Sequence, residues 1–226
     1  MKRLLLIPLL LVLSGIASAD VIRIKSGSAT ADSCNDWYYT KGLNGGAHNP
    51  SANSGDLYCG FTGGFARRSA RCFPGVNIGQ AYIIDSAFMK SMWVTTDSTI
   101  KPVQIITGVK SDQYDTIVDS TRWVAAFAVK TTATDSMYDS LWARNTTAFT
   151  YARSWNVTTI MQELVNQGWW QLGDTAVFLA YPRTGTTGDR NLRALNTNAG
   201  GDSLIVFYHA PPASDTRRLG AVKRSN

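Results

Sequence analysis

Apolar residues in this chain come in short runs, each cut off by Gly, Asn, Asp or Pro within a few positions. The runs fall at 21–25, 36–39, 57–61, 68–73, 83–94, 103–109, 123–129, 176–181, 190–195 and 203–209. Runs of roughly four to eight residues bounded by turn residues read as strands, and many of them in series predict a sandwich or a barrel. In the longest run Ala87, Met89, Ser91 and Trp93 share one face, with Phe88, Lys90 and Met92 on the other. Composition agrees: fifteen acids are Asp and one, Glu163, is Glu, while Thr, Val, Ile, Trp and Tyr are plentiful. With 17% charged and 11% aromatic residues the chain is no disordered polymer. At 226 residues it holds one domain with a real core.

One segment departs from the strand pattern. Over 156–168 the apolar residues Ile160, Met161, Leu164 and Val165 make a helical stripe, with Asn156 as N-cap and Gly168 at the stop. This predicts a three-turn helix crossing one end of a sandwich. Glu163 lies within it and reads as a solvated surface residue. Residues 110–148 form an excursion between strands, in which 116–129 reads as either strand or helix.

The ends are different in kind. Lys2 and Arg3 precede an apolar run over 4–16 and the small residues Ala17, Ser18 and Ala19, the layout of a cleaved secretory signal peptide. Thirteen residues of helix reach about 20 Å, too short for a membrane span. The expected organisation is a signal peptide over 1–19, a domain over 20–211 and a basic, disordered tail over 212–226. Of the net charge of +6, Lys2 and Arg3 leave with the leader. Arg217, Arg218, Lys223 and Arg224 against Asp215 give the tail a surplus of three, so the domain keeps one net positive charge. That argues against nucleic acid as a partner of the fold. The expected location is secreted, extracellular or at the cell surface, with no transmembrane segment after cleavage.

Export makes Cys34, Cys59 and Cys72 disulfide candidates, as Cys34–Cys59 or as Cys59–Cys72, with three buried thiols as the alternative. Without CxxC, HExxH, GxSxG or a phosphate-binding glycine loop, no motif predicts catalysis or a cofactor. Asp112, Asp115 and Asp119 offer oxygens to a calcium ion or a carboxylate pair for glycoside cleavage, but read as solvated loop residues. The candidate ligand surface is aromatic and basic. Trp169 and Trp170, on opposite faces of an extended segment, would expose one indole for a sugar ring, with Tyr181, Arg183, Arg190 and Arg193 completing it.

The order of several segments resembles the DNRLRE-type (disaggregatase-related) jelly-roll domains. Asn44-Gly45-Gly46, Leu57-Tyr58-Cys59-Gly60, Arg68-Ser69-Ala70-Arg71-Cys72-Phe73 and Ser86-Ala87-Phe88-Met89 carry the first half. Thr150-Tyr151, Asn156-Val157-Thr158-Thr159-Ile160-Met161-Gln162, Val177–Ala180, Arg190–Leu195 and Leu204-Ile205-Val206-Phe207-Tyr208 carry the second. Arg71 stands at an apolar position of that pattern. The resemblance implies an all-β jelly-roll sandwich with one short helix, acting as a non-catalytic module on polysaccharide or cell-surface glycan, acidic glycans included. The rival expectation is a structural or adhesive subunit that self-assembles into a surface or extracellular filament. The run Leu204-Ile205-Val206-Phe207-Tyr208, apolar on both faces, suits a central strand or an assembly contact.

Overall fold

A computed structural model describes residues 19–25, 37–41, 56–62, 65–93, 104–114, 120–137, 151–183, 188–193 and 203–212. The strands are β1 (Asp20–Lys25), β2 (Trp37–Lys41), β3 (Asp56–Thr62), β4 (Phe65–Val76), β5 (Ile83–Trp93) and β6 (Gln104–Val109). They continue as β7 (Lys130–Met137), β8 (Tyr151–Asn156), β9 (Asp174–Pro182), β10 (Gly188–Arg193) and β11 (Ser203–His209). Two helices, α1 (Ser120–Ala128) and α2 (Thr158–Val165), and a 3-10 turn at Asp112–Tyr114 complete the described elements.

All pairings are antiparallel and group into two four-stranded sheets, β1-β11-β5-β8 and β4-β9-β6-β7. β3 and β10 link them: β3 pairs with the start of β4, and β10 with the end of β5. β2 runs along the other edge of β4. This is a sandwich-like β fold. Among the described residues no helix is long and apolar enough to cross a membrane.

The core between the sheets takes Phe73, Met89, Ile106, Trp155, Phe178, Leu204 and Val206, and α2 adds Ile160, Met161, Leu164 and Val165. A second apolar cluster lies on the outer face of β4-β9-β6, where Ala70, Cys72, Val109, Val177 and Leu179 meet Trp123 and Ala126 of α1. That double cover explains why β9 is buried without interruption from Ala176 to Ala180: alternate residues face different cores. Arg71 is fully buried on the inward side, its guanidinium 5.2 Å from the Trp155 ring centre and Nη1 donating to Ser69 Oγ at 3.3 Å.

Three expectations need correction. The stretch 123–129 is not a strand: Trp123, Ala126 and Phe127 fall at helical spacing and lie on the sheet, so the described chain has two helices where one was expected. The strand β7 in the supposed excursion is polar, being an edge strand with little to bury. No disulfide is found between described cysteine side chains. In the register of β3 with β4, Cys59 falls opposite Arg68, four positions or about 13 Å along the strand from Cys72, beyond the reach of a disulfide. Cys72 is buried and disulfide-bonded to a sulfur outside the described side chains, so it is no spare thiol. Cys34, the leader and the tail lie outside the described residues.

α2 runs along one side of the sandwich rather than across its end. β8 pairs with β5 only from Phe88 onward, which leaves backbone groups of β5 and its lead-in without a strand partner. α2 supplies partners. Gln162 Oε1 accepts from the Ile84 N–H at 2.8 Å, Gln162 Nε2 donates to the Tyr82 carbonyl at 2.9 Å, and Thr158 Oγ1 accepts from the Ala87 N–H at 2.8 Å. On its other flank Glu163 accepts from the N–H groups of Thr132 and Ala133 on β7, both at 2.8 Å, and pairs with Lys110 Nζ at 3.3 Å. Glu163 is therefore a clasp between the helix and the opposite sheet edge, not a solvated bystander. Burial pushes its carboxyl up, but the two backbone donors and Lys110 outweigh that and hold it below the ordinary range.

Candidate functional site

A side groove opens where α2 begins. The first residues of β5, the end of β7 and the end of β8 converge there, and the lining is Asp85, Ser86, Thr134, Asp135, Asn156, Thr158 and Thr159, around about 410 Å³. Every lining side chain is polar, and none is a cation. Asp85 reaches the groove because the β11–β5 register slips between Phe207 and Tyr208, making Asp85 the extra residue of a bulge. His209 Nδ1 holds it from the next strand, 2.9 Å from Asp85 Oδ1.

The opposite wall is desolvated. Burial raises the Asp135 carboxyl above its ordinary range, partly offset by the backbone N–H groups of Ser136 and Asn156. Asn156 Oδ1 accepts from the Thr158 N–H at 3.1 Å and from Thr158 Oγ1 at 2.7 Å. The residue thus serves the helix start as expected, although the capping position itself is Val157. Hydroxyls, an amide and two carboxylates around one space match the donors and acceptors of a polyol. Two carboxylates disfavour an anionic ligand.

The expected aromatic and basic surface is not assembled in one place. Trp170 is 2% exposed, and its Nε1 donates to the Ile78 carbonyl at 2.9 Å; it is core. The pair sits in the turn after α2 rather than in an extended segment, so half-buried Trp169 leans on Trp170, with ring centres 5.8 Å apart. Both precede β9, beside Val76 at the far end of β4. Tyr181 lies seven residues, about 23 Å, further along β9. It is half-buried, edge-on to Phe127 at 5.0 Å, in the cluster under α1. Arg183 is exposed just beyond it. β10, which carries Arg190 and Arg193, pairs with β3 and so lies toward that same end; their side chains are outside the described residues.

Among the described residues no group of three or more His, Cys, Asp or Glu converges as metal ligands. Asp112 sits exposed in the 3-10 turn, while Asp115 and Asp119 lie outside the described residues. Asn156 is legible as the start of the helix, but the groove as a site carries no sequence signal, because a bulge, a strand end and a helix start only meet once the two sheet edges are brought together. The chain matches no family model and no curated protein sequence.

Proposed function

We propose that this protein is an exported, non-catalytic carbohydrate-binding module of jelly-roll type, acting at or outside the cell surface. The observation that carries the reading is the side groove: an all-polar space large enough for a sugar unit, built on rigid strand ends and a helix start. Its two carboxylates turn the ligand away from acidic polysaccharide and toward neutral glycan. The likeness to disaggregatase-related domains supports the same class through motif order alone.

The test is binding of purified protein to an array of neutral and acidic glycans. Neutral glycans are expected to bind, and Asp135→Asn with Thr159→Val to weaken binding about tenfold without lowering the melting temperature. An array that lights only for acidic glycans returns the site to Arg183, Arg190 and Arg193. A silent array removes the reading, and release of reducing ends from a bound glycan removes its non-catalytic part.

A further inference from the structure

The two carboxylates of the side groove are not equivalent. Asp85 is engaged from within the protein: His209 Nδ1 stands 2.9 Å from its Oδ1 and 3.0 Å from its Oδ2. Asp135 has no such partner. Its carboxylate accepts from the backbone N–H groups of Ser136 and Asn156, and among the described residues no Lys, Arg or His pairs with it. Nearby cations are committed elsewhere. Lys110, just after β6, pairs with Glu163 at 3.3 Å, and Lys130, at the start of β7, stands 4.3 Å from the Phe127 ring centre.

Asp135 is also half-buried, and burial makes its ionised form costlier than it would be at an open surface. The rest of the lining does not supply the missing countercharge: it offers hydroxyls and one amide, which donate and accept but carry no charge. α2 turns its positive end toward the groove, but the Thr158 N–H is already taken by Asn156 Oδ1 at 3.1 Å. A desolvated carboxylate in a cleft, without a cation of its own, is a group that a ligand can complete. What fits is a compact cation with hydrogen-bond donors, set among hydroxyls. A sugar ring carrying a protonated amine presents both.

Resting on the groove as the glycan site, we propose that it selects an amino sugar, with Asp135 pairing the protonated amine while Thr158, Thr159 and Asn156 meet the neighbouring hydroxyls. The selectivity lies in a difference. An ammonium against a carboxylate makes a charge-assisted hydrogen bond, about twice as strong as a neutral one. N-acetylation removes the positive charge and leaves Asp135 facing an amide. An acidic sugar would set a second anion beside it. Asp85, already engaged by His209, contributes less to the choice.

Titration calorimetry with two probes tests this: a β-1,4-linked glucosamine oligosaccharide and its fully N-acetylated counterpart of equal length, at one mildly acidic pH that keeps the amine protonated. The free-amine form is expected to bind about tenfold tighter. Asp135→Asn is expected to bring the ratio of the two affinities close to one, Asp85→Asn to keep most of it, and added salt to shrink it. Equal affinities in the wild type, a ratio that survives Asp135→Asn, or a ratio lost as fully in Asp85→Asn would overturn the selectivity. So would a protein that binds another neutral glycan and neither probe, and in each of these cases the groove keeps its place as a glycan site. Binding of neither probe and of no neutral glycan on the array removes the glycan site itself, and the selectivity with it.

Discussion

The two helices solve different problems with different residues. α1 lies on a sheet face and is held by area: Trp123 is fully buried and stacks on Phe127 with centres 5.0 Å apart. The Arg68 guanidinium sits 4.9 Å from the Trp123 ring centre, and Lys130 Nζ 4.3 Å from that of Phe127. α2 lies between two sheet edges and is held by area on one side and by hydrogen bonds on both flanks, through Thr158, Gln162 and Glu163. A sheet face needs apolar cover, because its backbone groups are already paired. A sheet edge needs donors and acceptors, because its backbone groups are not.

The contrast breaks most visibly at α1. Trp123→Ala removes the largest side chain under the helix and leaves Ala70, Cys72 and Leu179 without cover. The expected loss is about 3–5 kcal/mol of unfolding free energy, read as a lower denaturant midpoint, with near-ultraviolet dichroism of the remaining aromatics changed. A loss below about 1 kcal/mol would mean that α1 is not the lid its packing indicates.

The counterpart at α2 is smaller. Gly108 of β6 lets the helix approach the sheet: a Cβ there would stand 2.8 Å from Ile160 Cγ2 and 3.1 Å from Leu164 Cδ1. The β6–β7 register shifts at this point, and Thr131 Oγ1 accepts the Gly108 N–H at 2.9 Å. Gly108→Ala should cost about 1–3 kcal/mol by overpacking, and pairing it with Ile160→Val should recover part of that.

Much of this was legible in the residues and some was not. The run over 203–209 coincides with β11, and the Ile160, Met161, Leu164 and Val165 stripe is the buried face of α2. The stretch 116–129 reads as either strand or helix because Trp, Val and Phe favour strands locally, and the Trp123, Ala126 and Phe127 spacing against the sheet decides for the helix. β7 was missed because an edge strand of Lys, Thr, Asp and Ser carries little apolar alternation. Two adjacent tryptophans read as an extended pair with one indole exposed, but the turn after α2 buries Trp170 under the Ile78 carbonyl and leaves Trp169 half-buried against it. Glu163 was misread for a different reason. Its partners are backbone N–H groups of another strand, and backbone donors leave no mark on a sequence.

Glu163→Gln tests the edge clasp directly. The amide keeps one acceptor oxygen where the carboxylate had two, and loses the pair with Lys110. The expected cost near neutral pH is about 1–2 kcal/mol. Its folded value lies below the ordinary 4.5, so the clasp is at full strength above 4.5 and is lost as the pH falls through the lower folded value. Wild type and variant should therefore converge in melting temperature on acidification. Curves that stay parallel down to low pH would assign the cost to something other than the ionised carboxylate.

Asp135 gives the smallest effect and the opposite slope. It faces the groove at the start of α2, where burial raises its carboxyl above the ordinary value of 3.8 despite the two backbone donors. An acid with a raised folded value favours the native state while protonated, so that contribution is whole below 3.8 and disappears as the pH rises through the folded value. Asp135→Asn stays neutral and keeps an acceptor oxygen for the same N–H groups. The variant should match wild type at low pH and melt slightly higher near neutrality, while Glu163→Gln melts lower there. Opposite signs from two acids flanking one helix separate their roles: Glu163 holds an edge closed, and Asp135 keeps a charge in a desolvated groove at a small cost to the fold. If Asp135→Asn melts lower than wild type near neutrality, Asp135 is a second clasp and the groove loses its claim to be built for a ligand.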